Sequence, residues 1–197
     1  MKQIHITRDS SGVKFETVSI DVTDTVFFTN LDAQSAHWPD ITTNELGAAP
    51  SANSSQVPVD APDGQNPPCV VTYGCKLHAN EKGTINLFNQ LSKENASLDP
   101  ATAGTAIAEQ QVVSGGSAPY SISGQLFQIT DANNNVIQSG SGIGPGLQLN
   151  PKTSELGITV TGTPTVVGKY NFTFTVNDAM GKNLQQSQYS MVVNAGA

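Results

Sequence analysis

The sequence predicts an all-β protein with two domains. Short runs of β-branched and aromatic residues, separated by turn residues, recur along the whole chain of 197 residues. Residues 168–178 (GKYNFTFTVND) alternate strictly, with Tyr170, Phe172, Phe174 and Val176 on one face and polar side chains on the other. This alternation is typical of a half-buried antiparallel strand. No segment predicts a helix longer than two turns, so we expect strands to form the regular structure of both domains.

The composition excludes several classes of protein. Charged residues make up 13% of the chain, about half of the usual quarter for a globular domain. Nine Lys and Arg residues against sixteen Asp and Glu residues give a net charge of −7, which excludes a general nucleic-acid binder. No apolar run approaches the ~20 residues of a transmembrane helix. The first ten residues lack the apolar core of a signal peptide, so the protein is either cytosolic or lacks its leader in this chain. The low share of charged residues, with many Ser, Thr, Asn and Gln, favours the second alternative, and we therefore expect a periplasmic, secreted or cell-surface protein.

A polar segment divides the chain. Residues 92–104 (SKENASLDPATAG) are small and polar and contain Pro100, as is typical of a linker. We therefore expect a first domain over residues 1–92, a linker over residues 93–104 and a second domain over residues 105–197. The β-rich runs predict strands over residues 2–7, 13–22, 25–30, 69–75, 83–88, 119–130, 135–138, 168–178 and 185–194.

The two cysteines, Cys69 and Cys75, fall in one predicted strand. Six steps of about 3.3 Å separate them by roughly 20 Å. A disulfide needs Cα atoms within about 7 Å of each other. We therefore expect no disulfide, and at least one thiol requires another role.

Three residues suggest a metal site. His78 follows Cys75 by three positions, and a Cys-x-x-His turn that leaves a strand can place a thiolate and an imidazole on one ion. His37, at the end of a different strand, would complete a His2Cys set that suits copper or zinc. The alternative is that the histidines are ordinary surface residues and that Cys75 is a small buried hydrophobe. His5, in the first strand, has no partner motif and is interpreted as structural.

Residues 1 to about 90 resemble the cupredoxin family of blue copper proteins, such as plastocyanin and amicyanin. Two phrases carry the resemblance: Val18-x-Ile20 … Asp24-Thr-Val-x-Phe28-x-Asn30-x-Asp32 … His37, and Tyr73-x-Cys75-x-x-His78-x-x-Glu81-x-Gly83-x-Ile85. The resemblance implies that His37, Cys75 and His78 are the equatorial copper ligands and that His78 is the exit for electrons.

One position departs from the family pattern. With short amicyanin-like spacing, the weak axial methionine would lie three residues after the second histidine, where this chain has Glu81. Glu81 binds the metal, points to solvent beside Lys82, or leaves the axial position to a backbone carbonyl; the sequence leaves these alternatives open. A bound carboxylate would favour Cu(II) over Cu(I) and would also tolerate zinc.

Residues 105–197 resemble bacterial immunoglobulin-like or cadherin-like surface domains. The phrases that carry this resemblance are Gly115-Gly-Ser-Ala-Pro119-Tyr120, Gly144-Pro-Gly146-Leu147-x-Leu149-Asn150, Gly162-Thr-Pro164-Thr-x-x-Gly168-x-Tyr170-x-Phe172 and Val176-Asn-Asp178-Ala-x-Gly181. Such modules are usually spacers or adhesion units. The two resemblances together imply two tandem Greek-key antiparallel β-sandwiches, a cupredoxin domain followed by an Ig-like domain.

The expected function is one-electron transfer, not catalysis, through a mononuclear copper site made by His37, Cys75 and His78, with Glu81 at the axial position. The expected partner is a redox protein, and the net charge of −7 suggests that its docking face is basic. Two alternatives remain open. One is binding, sequestration or delivery of copper or zinc without redox turnover, and the other is adhesion with a metal-free first domain.

Overall fold

The structure, a computed structural model, describes residues 1–41, 44–45, 47–153 and 156–196. The chain divides into two compact units, Met1–Gln90 and Leu91–Ala197. Within the described ranges, all regular elements are β-strands. Each unit has two sheets and its own cluster of buried apolar side chains. The prediction of an all-β fold built from β-sandwiches is confirmed.

In its described residues, the first unit contains nine strands in two sheets. Their bounds are β1 Lys2–Asp9, β2 Gly12–Phe15, β3 Val18–Asp21, β4 Thr25–Asn30, β5 Pro39–Ile41, β6 Asn44–Glu45, β7 Val57–Pro58, β8 Cys69–Cys75 and β9 His78–Phe88. One sheet has the strand order β2-β1-β4-β7 and the other has the order β3-β9-β8-β5-β6. The described residues of the segment 39–68 therefore contribute three short strands, β5, β6 and β7, that the sequence did not predict.

Alternating burial on β4 and β8 contributes a central part of the core of the first unit. Val26 and Phe28 of β4 are buried, as are Val71, Tyr73 and Cys75 of β8. The rings of Phe28 and Tyr73 pack edge to face, with their centroids 5.4 Å apart. Because Cys75 continues the buried face of β8, its thiol lies at the end of the apolar core and away from solvent.

Among the described strands, three pairs are parallel: β1 with β4 and β3 with β9 in the first unit and, in the second, β11 (Ala101–Thr102) with β18 (Asn183–Asn194). The sequence had led us to expect purely antiparallel sheets. The sheets are instead mixed. In the first unit the reason is the path of the chain. It leaves the first sheet for β3 in the second sheet and then returns as β4 beside β1.

The described part of the second unit also contains nine strands in two sheets. Their bounds are β10 Ser92–Lys93, β11 Ala101–Thr102, β12 Ile107–Ser114, β13 Ser121–Thr130, β14 Val136–Ser141, β15 Leu147–Lys152, β16 Gly157–Gly162, β17 Gly168–Asn177 and β18 Asn183–Asn194. The sheet orders are β10-β12-β16-β15 and β11-β18-β17-β13-β14. The predicted alternation of β17 is confirmed, since Tyr170, Phe172, Phe174 and Val176 are all buried.

The residues predicted as a linker lie within the second unit. Strands β10 and β11 come from this segment, and Leu98 and Ala101 are buried in the second core. Two apolar side chains in an otherwise polar segment are enough to anchor it, and they are hard to recognise from composition. Independent folding of the two halves stays a prediction.

We predict that Gly83→Ala destabilises the first unit. Gly83 of β9 lies opposite Tyr73 of β8, and a Cβ atom at Gly83 would lie 2.2 Å from the buried Tyr73 ring. Overpacking of this kind costs about 1–3 kcal/mol. The matched control is Gly74→Ala in the same sheet, where the nearest atom to a new Cβ is the Glu81 carbonyl oxygen at 3.8 Å. The free energy of unfolding, measured with chemical denaturant, should fall for Gly83→Ala by clearly more than for Gly74→Ala. Equal stability of the two variants would contradict the packing of Tyr73 against Gly83.

Candidate metal centre

A tight hairpin presents three of the four candidate donor residues. Strands β8 and β9 are joined by the two residues Lys76 and Leu77, so that Cys75 pairs with His78. The next pair is Gly74 with Lys82, which means that residues 79–81 form a bulge on β9. Bulges redirect side chains at the end of a ladder. Here the bulge brings Glu81 to the same place as Cys75 and His78.

The fourth donor residue, His37, comes from the segment that follows β4. The backbones of His37 and Ala48 exchange hydrogen bonds of 3.0 and 2.9 Å. Strand β5 then pairs with β8 at Pro39 and Cys75, and the Lys76 N–H donates to the Trp38 carbonyl at 2.9 Å. The Trp38 N–H points at the Cys75 Sγ, 3.2 Å away. These contacts fix His37 beside the thiol.

Asn30 holds the segment that carries His37. Its side chain is fully buried at the end of β4. Its amide nitrogen lies 2.8 Å from the Ser35 carbonyl oxygen and 3.2 Å from those of Ala48 and Ala49, and its Oδ1 accepts from the Asp32 N–H at 2.9 Å. The Asn30 side chain therefore joins the segment before His37, at Ser35, to the segment at Ala48 and Ala49 that pairs with His37.

The four donor atoms form one compact group, with every pair within 4.8 Å. Glu81 Oε2 lies 2.8 Å from His37 Nδ1 and 3.1 Å from His78 Nδ1. Cys75 Sγ lies 3.5 Å from His78 Nδ1 and 4.0 Å from His37 Nδ1. His37 is fully buried and Cys75 is buried, whereas the His78 side chain is 37% exposed. The group therefore spans the boundary between the core and the surface.

The spacing of the donors fits a single four-coordinate metal ion. Tetrahedral coordination with the bond lengths usual for zinc places sulfur and nitrogen donors about 3.5 Å apart, and nitrogen and oxygen donors about 3.3 Å apart. The distances of 3.5 and 4.0 Å to the sulfur, and of 2.8 and 3.1 Å to the carboxylate oxygen, lie within about 0.5 Å of these values. One thiolate with two imidazoles is a donor set that suits copper or zinc.

Glu81 faces the two histidines. Its Oε2 contacts both imidazoles, and its side chain is 15% exposed. Of the three alternatives that the sequence left open, the structure thus places the carboxylate among the other donors and not in solvent beside Lys82. Whether it binds a metal stays a prediction.

A partly buried ion pair, Arg8 with Asp32, lies behind His37. The Nε2 of His37 lies 3.0 Å from Asp32 Oδ2, and both side chains are buried. Arg8 donates to the same oxygen from Nε at 3.0 Å and from Nη2 at 2.8 Å. The Arg8 hydrogen bonds hold the pKa of Asp32 well below its usual range, and Asp32 raises the pKa of Arg8 in return.

Sequence reasoning missed this pair. Asp32 was noted only as part of a motif, and Arg8 was not singled out. The parallel pairing of β1 with β4 joins Ile6 to Asn30, and the same offset of 24 residues aligns Arg8 with Asp32. An alignment that showed Arg8 and Asp32 changing together would have been the signal.

The remaining singled-out residues lie outside the donor cluster. His5 on β1 places its Nδ1 2.7 Å from Glu16 Oε2, as an exposed pair. Cys69 lies at the opposite end of β8 from Cys75, and both are free thiols, as expected.

The second half of the chain matches a known family. Residues 100–194 match the family described as "Putative Ig domain". Such domains are typically extracellular or on the cell surface, which suggests a surface or adhesion role for this half. No curated protein sequence matches the chain. Within the described ranges, no helix has the length and apolar character that a membrane span requires.

Solved structures with similar folds are distant. An endo-fucoidan hydrolase of glycoside hydrolase family 107 is 12% identical, with a TM-score of 0.38 over 98% of this chain and 33% of that one. The chain thus spans about a third of that enzyme's length. A copper-containing nitrite reductase from Thermus scotoductus SA-01 is 11% identical, with a TM-score of 0.31 over 98% of this chain and 60% of that one. The N-terminal eight Ig domains of Down Syndrome Cell Adhesion Molecule are 12% identical, with a TM-score of 0.30 over 96% of this chain and 26% of that one. Similarity at this level assigns no function.

We predict that Asn30→Ala loosens the segment that carries His37. The substitution leaves the carbonyls of Ser35, Ala48 and Ala49 without the Asn30 amide, at a cost of about 1–3 kcal/mol. Asn89→Ala is the matched control, because Asn89 also donates its amide to a carbonyl, that of Pro67, but at an exposed site. Hydrogen exchange should show faster exchange of the Trp38 amide in Asn30→Ala only. Wild-type exchange at Trp38 in Asn30→Ala would contradict this role.

Proposed function

We propose that the first unit is a mononuclear copper protein that carries one electron at a time. The observation that carries the proposal is the convergence of His37, Cys75, His78 and Glu81, whose donor atoms all lie within 4.8 Å of one another. His37, Cys75 and His78 would hold the copper, and Glu81 would be the fourth ligand. The bound copper would supply the change between Cu(I) and Cu(II). The resemblance of residues 1–90 to cupredoxins supports the same assignment.

The protein surroundings support electron transfer because they hold the donors rigidly. His37 and Cys75 are buried against the core, and the ring of Phe15 packs edge-on against His37 with a centroid distance of 5.9 Å. The Trp38 N–H at the thiol would stabilise negative charge on sulfur. A site that cannot rearrange keeps one geometry in both oxidation states, which favours fast exchange of electrons.

The exposed edge of His78 would be the exit for electrons. Leu77 and Trp38, which adjoin donor residues in the chain, are also exposed and would give this edge an apolar rim. We propose a redox partner protein that docks there, and the net charge of −7 favours a partner with a basic face. Attraction of this kind weakens as salt is added.

In this proposal the protein acts outside the cytoplasm as a carrier and not as an enzyme. The second unit would tether or space the carrier, in keeping with the surface role of Ig-like domains. Among the residues that the structure describes, the donor cluster consists of residues of the first unit.

A second function is favoured by one specific observation. Glu81 Oε2 is within 3.1 Å of the Nδ1 atoms of both histidines, and Glu81 stands at the sequence position where the cupredoxin resemblance implies a weak axial ligand. A carboxylate oxygen is a harder donor than the thioether expected there. Four close donors suit zinc, or the storage and delivery of copper, as well as they suit redox turnover. Adhesion with a metal-free first unit is the third alternative, supported by the Ig-like match alone.

Copper titration of the purified full chain tests the proposal. We expect uptake of one equivalent of Cu(II), an absorption band from charge transfer between the thiolate and copper, and reversible bleaching through repeated reduction and oxidation. Binding of zinc with no stable coloured copper form would favour the second function. No binding of either metal would overturn both.

We predict that Cys75→Ser abolishes the charge-transfer band while the fold is retained. The thiolate is one partner in the electronic transition, whereas the core rests on many apolar contacts. Cys69→Ser is the matched control, because Cys69 lies at the other end of the same strand. Absorption spectra of the two copper-loaded variants give the answer. Loss of the band in Cys69→Ser with its retention in Cys75→Ser would show that the thiols are assigned the wrong way round.

We predict that Glu81→Met raises the reduction potential on the order of 100 mV, which equals a few kcal/mol for one electron. A carboxylate stabilises Cu(II) over Cu(I), and a thioether lacks that charge. The spectrum should also move towards the blue copper type, because a weak axial ligand leaves the thiolate dominant. Glu81→Gln should give a smaller change of the same sign.

The control for Glu81 is Glu16→Gln, which removes an exposed carboxylate of the same unit. It should shift the potential only by a small amount that added salt screens. If the spectra of Glu81→Met and Glu81→Gln both equal the wild-type spectrum, Glu81 is not a ligand and a three-ligand His2Cys site remains.

A further inference from the structure

We propose that Arg8 and Asp32 are positioning residues that hold the His37 ring so that its Nδ1 faces the metal. This inference rests on the proposed metal site and identifies residues that contact a ligand of the metal and not the metal itself. The observation that carries it is the contact between His37 Nε2 and Asp32 Oδ2, which lie 3.0 Å apart. The Nε2 atom is the ring nitrogen that does not belong to the donor cluster.

The Asp32 carboxylate is fixed from several directions. Its Oδ2 accepts from Arg8 Nε and Arg8 Nη2, and its Oδ1 accepts from the Gln34 N–H at 2.9 Å. Its own N–H donates to Asn30 Oδ1 at 2.9 Å. The side chain is buried, so it cannot rotate away without leaving a charge without partners in the interior. An acceptor fixed in this way dictates where the Nε2–H of His37 points.

A hydrogen bond from Nε2–H to Asp32 fixes the orientation of the whole His37 ring. An imidazole that donates from Nε2 to a carboxylate presents Nδ1 as the atom for a metal, and the carboxylate makes that nitrogen a stronger donor. Rotation of the ring by half a turn would remove the contact with Asp32. The Phe15 ring, perpendicular to His37 at a centroid distance of 5.9 Å, restricts the same rotation.

Arg8 links this arrangement to the first strand. Besides its two contacts with Asp32, its Nη2 donates to Ser35 Oγ at 3.1 Å, so one guanidinium spans β1 and the segment before His37. Lysine presents a single nitrogen and cannot reproduce this fork. The Arg8 side chain is about one-third exposed, which lets it turn to solvent when Asp32 is replaced.

The test compares Asp32→Leu, Asp32→Asn and Arg8→Gln with the control Asp9→Asn, all in the full chain. Asp9 also accepts from a basic side chain, that of Lys14, but in an exposed pair. The first readout needs no metal: nitrogen-proton NMR spectra should show a His37 Nε2–H that exchanges slowly with water in the wild type and in Asp9→Asn. We expect this protection to be lost in Asp32→Leu.

The second readout is the Cu(II) dissociation constant, measured by competition with a chelator. Loss of an outer partner of a ligating histidine weakens metal binding about 10- to 100-fold. We expect this loss for Asp32→Leu, a smaller loss for Asp32→Asn and Arg8→Gln, and no change for Asp9→Asn. If Asp32→Leu does not fold, the two conservative variants decide.

The outcomes separate this inference from the proposed function. A wild-type chain that binds no copper overturns the proposed function, and the first readout then still decides whether Asp32 holds His37. Asp32 and Arg8 variants that fold and keep both the protected Nε2–H and the wild-type dissociation constant overturn the inference. An equal loss in Asp9→Asn also overturns it, because the effect would then be one of general charge.

Discussion

The pairing of β5 with β8 is the interaction on which the donor cluster depends. One hairpin already carries Cys75, His78 and Glu81, so these three residues meet wherever that hairpin forms. His37 lies on a separate segment and reaches them only because Pro39 pairs with Cys75 and Lys76 bonds to the backbone of Trp38. The cluster is therefore a property of the folded sheet and not of any one stretch of sequence.

The acidic groups around the donor cluster explain why this part of the first unit suits a cation. A thiol and the two carboxylates of Glu81 and Asp32 surround two imidazoles, and the one guanidinium in contact with them is that of Arg8. Burying several acidic groups together costs free energy of desolvation and repulsion unless a positive charge lies close to them. Arg8 compensates Asp32 on the inner side of His37, and a metal ion would compensate the thiolate and Glu81 on the outer side.

The sequence predicts the local features well and the long-range pairings poorly. Alternation in residues 168–178 and the spacing from Cys75 to His78 and Glu81 can be read directly, because strand geometry and a short turn fix them. The ion pair of Arg8 with Asp32 cannot be read in this way, since it depends on the parallel register of β1 with β4. The burial of Leu98 in a polar segment was missed for a similar reason: its partners come from distant strands.

X-ray absorption spectroscopy of the copper-loaded full chain tests the central claim most directly, because it reports the atoms bound to the metal in each oxidation state. The account predicts one sulfur and two imidazole nitrogens around a single copper, with the same set after reduction. Copper surrounded only by nitrogen and oxygen would contradict it, because Cys75 would then not be a ligand. A change of ligands on reduction would contradict the role of electron carrier, because each transfer would require the site to rebuild.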